Sequence, residues 1–140
     1  MKKLISIFGV TGSVGNSTIE LLRKRKNEFE LVAITCNSDV ENISILANEF
    51  SPKIIAVADE KKLAELKRNV PSNIMCFAGE EGICEAASYK TDIVIASIVG
   101  LAGLKPLIES IKSSSVIALA NKECIVSAGS LIKKLSKKND

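Results

Sequence analysis

The sequence predicts an α/β fold, a doubly wound parallel sheet of about six strands with helices on both faces. Three observations carry that expectation. Short apolar runs rich in Val and Ile recur along the chain, as strands buried on both faces require. Between them lie segments whose apolar residues fall at helical spacing behind plausible caps. The 140 residues are about one domain's length, with no repeat and no low-complexity linker, so residues 1–140 read as one domain.

Leu4 to Phe8 forms the first strand and stops at Gly9. Ser13 is expected to cap the following helix, which carries Ile19, Leu21 and Leu22 and ends near Asn27 after the basic turn Arg23 to Lys26. Leu31 to Thr35 is the second strand. Asp39 then caps a helix with Ile43, Leu46, Ala47 and Phe50 on one face, broken by Ser51-Pro52. Ile54 to Val57 is the third strand, Asp59 caps a helix through Leu63, Leu66 and Lys67, and Ile74 to Phe77 is the fourth strand. Helix from Glu80 to Ser88, strand from Ile93 to Ala96, helix from Leu104 to Ile111 and strand from Val116 to Leu119 continue the alternation. A last helix runs from about Glu123 to Lys137.

Composition narrows the chemistry. With 46% hydrophobic and 25% charged residues the chain is an ordinary soluble globular protein. No apolar run approaches a membrane span, and the start is not a signal peptide, so a cytoplasmic location without membrane association is expected. The chain has no histidine, which excludes a Ser/His/Asp triad, a Cys/His pair and His-ligated zinc within it. Residues 1–132 are balanced in charge, so the net +3 comes from Lys133, Lys134, Lys137 and Lys138 set against Asp140. With 4% aromatic residues and no spread basic face, nucleic acid is not an expected partner. Cys36, Cys76, Cys84 and Cys124 have no metal-type spacing and read as reduced thiols.

Gly9-Val10-Thr11-Gly12-Ser13-Val14-Gly15 stands between the first strand and the first helix, the context a phosphate-binding glycine loop needs. Gly9 permits the turn, Gly12 lets backbone approach a pyrophosphate, and Gly15 allows close packing of helix on sheet. Free N–H groups and the helix dipole then point at phosphate oxygens, with the Thr11 and Ser13 hydroxyls beside them. A P-loop is excluded because no Gly-Lys-Ser/Thr follows. A Rossmann-type dinucleotide site is the reading, and its second strand selects the cofactor. That strand ends in Thr35-Cys36-Asn37-Ser38 with no acid at its tip, so a 2'-phosphate is tolerated and NADP(H) is favoured over NAD(H). Asp39 fits an N-cap.

Two later segments bring polar groups to the same sheet edge. Ala96 to Gly103 is a small-residue loop able to line a flat ring, and Leu119-Ala120-Asn121-Lys122-Glu123 follows the last strand. Lys122 can carry a phosphate, and Asn121 and Glu123 can hydrogen-bond a carboxamide or ribose. The same residues would also serve as an ordinary helix start, with Asn121 as its cap.

GVTGSVG from Gly9 to Gly15, IVGLAG from Ile98 to Gly103 and LANKE from Leu119 to Glu123, in this order and spacing, resemble the amino-terminal domain of the 1-deoxy-D-xylulose 5-phosphate reductoisomerase family over essentially the whole chain. The resemblance implies an NADPH-dependent enzyme of non-mevalonate isoprenoid biosynthesis that rearranges and reduces its sugar phosphate to 2-C-methyl-D-erythritol 4-phosphate. It implies that Thr11, Gly12, Ser13 and Val14 hold the pyrophosphate, that Asn37 and Ser38 lie at the 2'-phosphate end, that Asn121 and Glu123 contact the cofactor, and that Lys122 meets the substrate. Where the family often has Gly-Lys-Asn or an Arg variant, this chain has Asn37-Ser38-Asp39 and lacks a local base. A divalent metal, Mg or Mn, held by an Asp and two Glu belongs to the family's chemistry, but its ligands lie downstream of the matching segment. No metal ligand or catalytic residue is therefore assigned here, and the chain is expected to be the cofactor domain of a homodimeric enzyme, inactive alone. A homoserine- or semialdehyde-type dehydrogenase domain, or a nucleotide-binding module without enzymatic activity, are the alternatives. Cys124 beside Lys122 is read as packing rather than catalytic.

Overall fold

The computed structural model describes residues 1–139, except the side chains of Ser115, Lys122, Ile125, Ser127, Lys138 and Asn139. Six strands, β1 (Lys3–Phe8), β2 (Phe29–Cys36), β3 (Ile54–Val57), β4 (Met75–Ala78), β5 (Thr91–Ala96) and β6 (Ser114–Leu119), form one sheet. All pairings are parallel, in the order β4-β3-β2-β1-β5-β6. Six helices join or follow them: α1 (Ser13–Lys24), α2 (Val40–Phe50), α3 (Leu63–Asn69), α4 (Gly79–Ala87), α5 (Leu104–Ser113) and α6 (Lys122–Asn139). Single 3-10 turns at Glu60–Lys62 and Leu101–Gly103 precede α3 and α5.

The winding is double. Alternate strand residues point to opposite faces, so β1 sends Ile5 and Ile7 to one core and Phe8 to the other. On the first face these meet Ile19 and Leu22 of α1, Ile43 and Leu46 of α2 and Leu66 of α3. On the second lie Ile83 and Ala86 of α4, Leu107 and Ile111 of α5, and Cys124, Ile132 and Leu135 of α6. A register shift, in which Ile5 pairs Leu31 but Ser6 pairs Ala33, keeps Leu31 and Ile34 in the same core despite their odd spacing. Because the strand order reverses between β1 and β5, a crevice opens beyond the carboxyl ends of these two strands.

Three sequence expectations are corrected. Ser13 does not cap α1: extended Gly12 (φ −80°, ψ 179°) holds the N-cap position, with no side-chain bond there. The helix ends at Lys24 rather than near Asn27, because Arg25 leaves helical geometry and turns back on Leu22 and Glu28. The last helix is not continuous, since Ala128 (φ −142°, ψ 27°) breaks it just before Gly129. Asp39 and Asp59 do cap as expected, accepting from the backbone N–H of Asn42 (3.1 Å) and Lys61 (3.0 Å). Among the described residues no helix is long and apolar enough to cross a membrane.

Candidate dinucleotide site at the sheet switch point

The glycine loop is clamped from both sides. On the β2 side, Gly9 N–H donates to buried Thr35 Oγ1 (3.1 Å) and Val10 N–H to the Thr35 carbonyl (2.9 Å). On the β5 side, Ser97 gives its N–H (3.0 Å) and its hydroxyl (2.7 Å) to the Phe8 carbonyl. Two glycines have no alternative. At Gly9 (φ +80°) a Cβ would lie 2.8 Å from the Ser97 carbonyl oxygen, and at Gly15 it would lie 2.4 Å from that of Val10. At Gly12 the nearest heavy atom would be Gly9 O at 3.4 Å, so this residue borders open space.

That arrangement leaves donors free. The first intrahelical bond of α1 runs from Asn16 N–H to Gly12 O (2.9 Å), so the N–H groups of Ser13, Val14 and Gly15 have no helical acceptor. The first turn carries no acid to repel an anion. Beside it is a cleft of about 340 Å³ bordered by Thr11, Gly12, Thr35, Asn37, Ser97 and the apolar Ile98, Val99 and Ala102. A backbone cradle next to an apolar slot suits a ligand with phosphates and a flat ring.

The second loop is held by Asn121, which is 5% exposed. Its Nδ2 donates to the carbonyls of Ile98 and Gly100 (2.8 Å to the latter), and its Oδ1 accepts from Cys124 N–H (3.1 Å) at the start of α6. Gly103 packs against it, where a Cβ would sit 3.1 Å from Nδ2. Both of its donors and one acceptor position thus serve the protein itself. Ala120 N–H donates to Ala96 O (2.9 Å), placing this segment beside the end of β5.

Of the residues singled out in the sequence, Thr11, Gly12 and Asn37 border the cleft. Ser13 and Val14 are exposed on the first turn of α1, and Ser38 is exposed at the β2 tip. Glu123 is exposed on the first turn of α6. Lys122 opens that helix, and its side chain lies outside the described residues. Asp39 turns both carboxylate oxygens onto Asn42 (3.1 Å to N, 2.7 Å to Nδ2). The Ser97 clamp escaped sequence reasoning because it depends on β5 lying next to β1, although Ser97 directly follows the strand. Burial pushes the Cys36 thiol up to about 12 and raises Cys124 too, with Glu123 adding to the latter, so neither is an activated nucleophile. Among the described residues no cluster of three or more Cys, Asp or Glu could hold a metal.

The sequence profile of 1-deoxy-D-xylulose 5-phosphate reductoisomerase matches residues 5–129. The chain belongs to this family. Curated reductoisomerases resemble it along nearly its whole length: that of Caldanaerobacter subterraneus subsp. tengcongensis is 44% identical over 137 residues, which are 98% of this chain and 36% of the relative. That of Clostridium perfringens strain SM101 is 44% identical over 141 residues, covering 98% of the chain and 37% of the relative. The chain therefore spans little more than a third of the length of these reductoisomerases. Among solved structures, the Zymomonas mobilis reductoisomerase in complex with NADPH superimposes with a TM-score of 0.96 at 31% identity, over 99% of this chain and 37% of that one. A reductoisomerase in complex with NADPH, fosmidomycin and magnesium gives 0.92 at 36% identity, over 98% and 34%.

Proposed function

We propose that this chain is the NADPH-binding domain of a 1-deoxy-D-xylulose 5-phosphate reductoisomerase. The observation that carries the reading is the clamped loop from Gly9 to Gly15 at the β1/β5 switch point, which borders a cleft with an apolar slot and leads into a helix whose first N–H groups have no helical acceptor. The missing Cβ at Gly12 leaves the room a pyrophosphate needs. Thr11, Gly12, Ser13 and Val14 would hold that group, Asn37 and Ser38 would lie at the adenosine end, and the Ile98 to Ala102 loop would flank the nicotinamide. NADPH, when bound, supplies a hydride to a carbonyl carbon. The protein's part is to fix the ring's position and to keep water from it, which Asn121 serves by tying the Ile98 to Gly100 backbone to α6.

Glu123 would contact the cofactor, and Lys122 would meet the sugar phosphate. The described carboxylates do not gather into a site that fits a divalent metal, so metal binding would fall to the part of a reductoisomerase's length that this chain does not span. The complete enzyme would be a cytoplasmic homodimer converting 1-deoxy-D-xylulose 5-phosphate to 2-C-methyl-D-erythritol 4-phosphate. Calorimetric titration of the chain with NADPH and with NADH is the test. Saturable binding with NADPH the tighter ligand is expected; binding of neither cofactor refutes the reading, and tighter NADH binding reverses the specificity.

A further inference from the structure

The adenosine end of the cleft poses a charge problem. A 2'-phosphate brings up to about two negative charges, yet the β2 tip and α2 contain no Lys or Arg between Leu31 and Pro52. The tip is not isolated. Cys36 and Asn37 accept, through their carbonyls, the N–H groups of Ala58 (3.0 Å) and Asp59 (2.9 Å), so the loop after β3 runs alongside the loop after β2, and Ala58 borders the same cleft as Asn37.

This second loop carries Asp59-Glu60-Lys61-Lys62. Its acids are turned to local tasks: Asp59 caps Lys61 N–H (3.0 Å), and the Glu60 carboxylate lies over Gly79, where a Cβ would come within 2.6 Å of Oε1. Lys62 pairs with Glu65 at 3.9 Å. Lys61 is exposed and has no ion pair among the described residues. At most about 7 Å of chain separates it from Asp59, which is bonded to the β2 tip, and its stem is long and flexible.

We propose that Lys61 supplies the positive charge for the 2'-phosphate of NADPH, from the loop after β3 rather than from the loop after β2. The assignment rests on the NADPH reading above and makes Lys61 the residue that sets preference for NADPH over NADH. Asn37 and Ser38 add neutral hydrogen bonds, while Asp39 is held away by its cap on Asn42.

Calorimetry of the chain with each cofactor, at low and moderate salt, tests it. Lys61→Gln weakens NADPH binding about fivefold, the size of one exposed charge contact, leaves NADH binding unchanged, and reduces the salt dependence of NADPH binding. Lys61→Arg retains the wild-type preference, and Lys62→Gln changes neither cofactor. Unchanged NADPH affinity in Lys61→Gln, an equal loss for both cofactors, or a selective loss in Lys62→Gln instead would overturn the assignment. If the wild-type chain binds neither cofactor, the NADPH reading falls and takes this assignment with it; if it binds both equally, Lys61 confers no preference and only this assignment falls. Lys61 is exposed, and the bond it makes to Asp59 is through its backbone N–H, which both variants keep, so thermal unfolding of both is expected to match wild type.

Discussion

Asn121→Ala separates two roles for the LANKE asparagine. The family resemblance makes it a cofactor contact, whereas the structure uses its amide three times inside the protein. Truncation removes the Oδ1 bond to Cys124 N–H, a helix-start interaction worth about 1 kcal/mol. It also strips the Ile98 and Gly100 carbonyls of their donor, at about 1 kcal/mol each where the groups are partly shielded from water. The expected loss is about 3 kcal/mol, a large part of a small domain's stability. Urea unfolding measures it, and NADPH titration of the folded fraction gives the companion number. Asn121→Asp sharpens the test. It retains Oδ1 toward Cys124 but sets a carboxylate oxygen against two carbonyl oxygens, which raises the folded-state pKa of that carboxyl. The variant's deficit is then greatest at neutral pH and shrinks as pH falls and the carboxyl takes up a proton. An Asn121→Ala chain within about 0.5 kcal/mol of wild type in stability, yet binding NADPH more than about tenfold more weakly, would refute the strut argument in favour of direct contact.

Other substitutions follow from the same geometry. Gly15→Ala forces a Cβ to 2.4 Å from Val10 O and 2.6 Å from Gly9 O; a destabilisation of about 3 kcal/mol is expected in urea, with weakened NADPH binding because the cradle must shift with α1. Buried Cys36, its thiol pushed up to about 12, and buried Cys124 should resist iodoacetamide at pH 8 until urea is added, read by mass spectrometry; modification of either at a free-thiol rate contradicts the packing. Arg23 grips Glu49 with two bonds (2.7 and 2.8 Å), joining α1 to α2 and holding the Glu49 carboxyl below its usual range. A lowered folded value means the stabilisation is full above the unfolded carboxylate's value, about 4.3, and disappears as pH falls through the folded one. Glu49→Gln should therefore unfold at lower urea than wild type near pH 7 and converge with it in strong acid.

The strands were legible because each is a compact apolar run whose burial on both faces leaves no polar alternation to confuse its period. Their ends were less so. β2 extends through Phe29, Glu30 and Cys36, since pairing with β1 carries the ladder past the apolar run. The break at Ala128 contradicts local propensity, alanine being the best helix former, and has no signature in the sequence beyond the glycine that follows. Ser13 resembled a cap because it opens the helix, but the cap position falls on the residue before it. The glycine loop was readable because its requirements are local, namely a positive φ at Gly9 and close packing at Gly15. Thr35 and Ser97 contribute through strand order, which brings residues 26 and 88 positions apart onto Gly9 and its neighbours.

That long-range closure decides how the candidate site works. A glycine-rich turn in an isolated peptide samples many conformations, and fixing it on a ligand would consume much of the binding energy. Here Thr35 from β2 and Ser97 just after β5 hold the turn before any ligand arrives, and Gly9 and Gly15 are pressed against backbone that a side chain would displace. Flexibility is thus removed where glycine usually supplies it, and Gly12 alone of the three keeps an open approach. The loop from Ile98 to Gly100 is treated alike, its two carbonyls held by one buried amide from the start of α6. The glycine loop and the Ile98 to Gly100 loop are therefore tied to neighbouring strands and to a helix start, so their separation is set by the sheet. A dinucleotide, whose two ends sit at a defined span, is the kind of ligand that such a fixed separation selects.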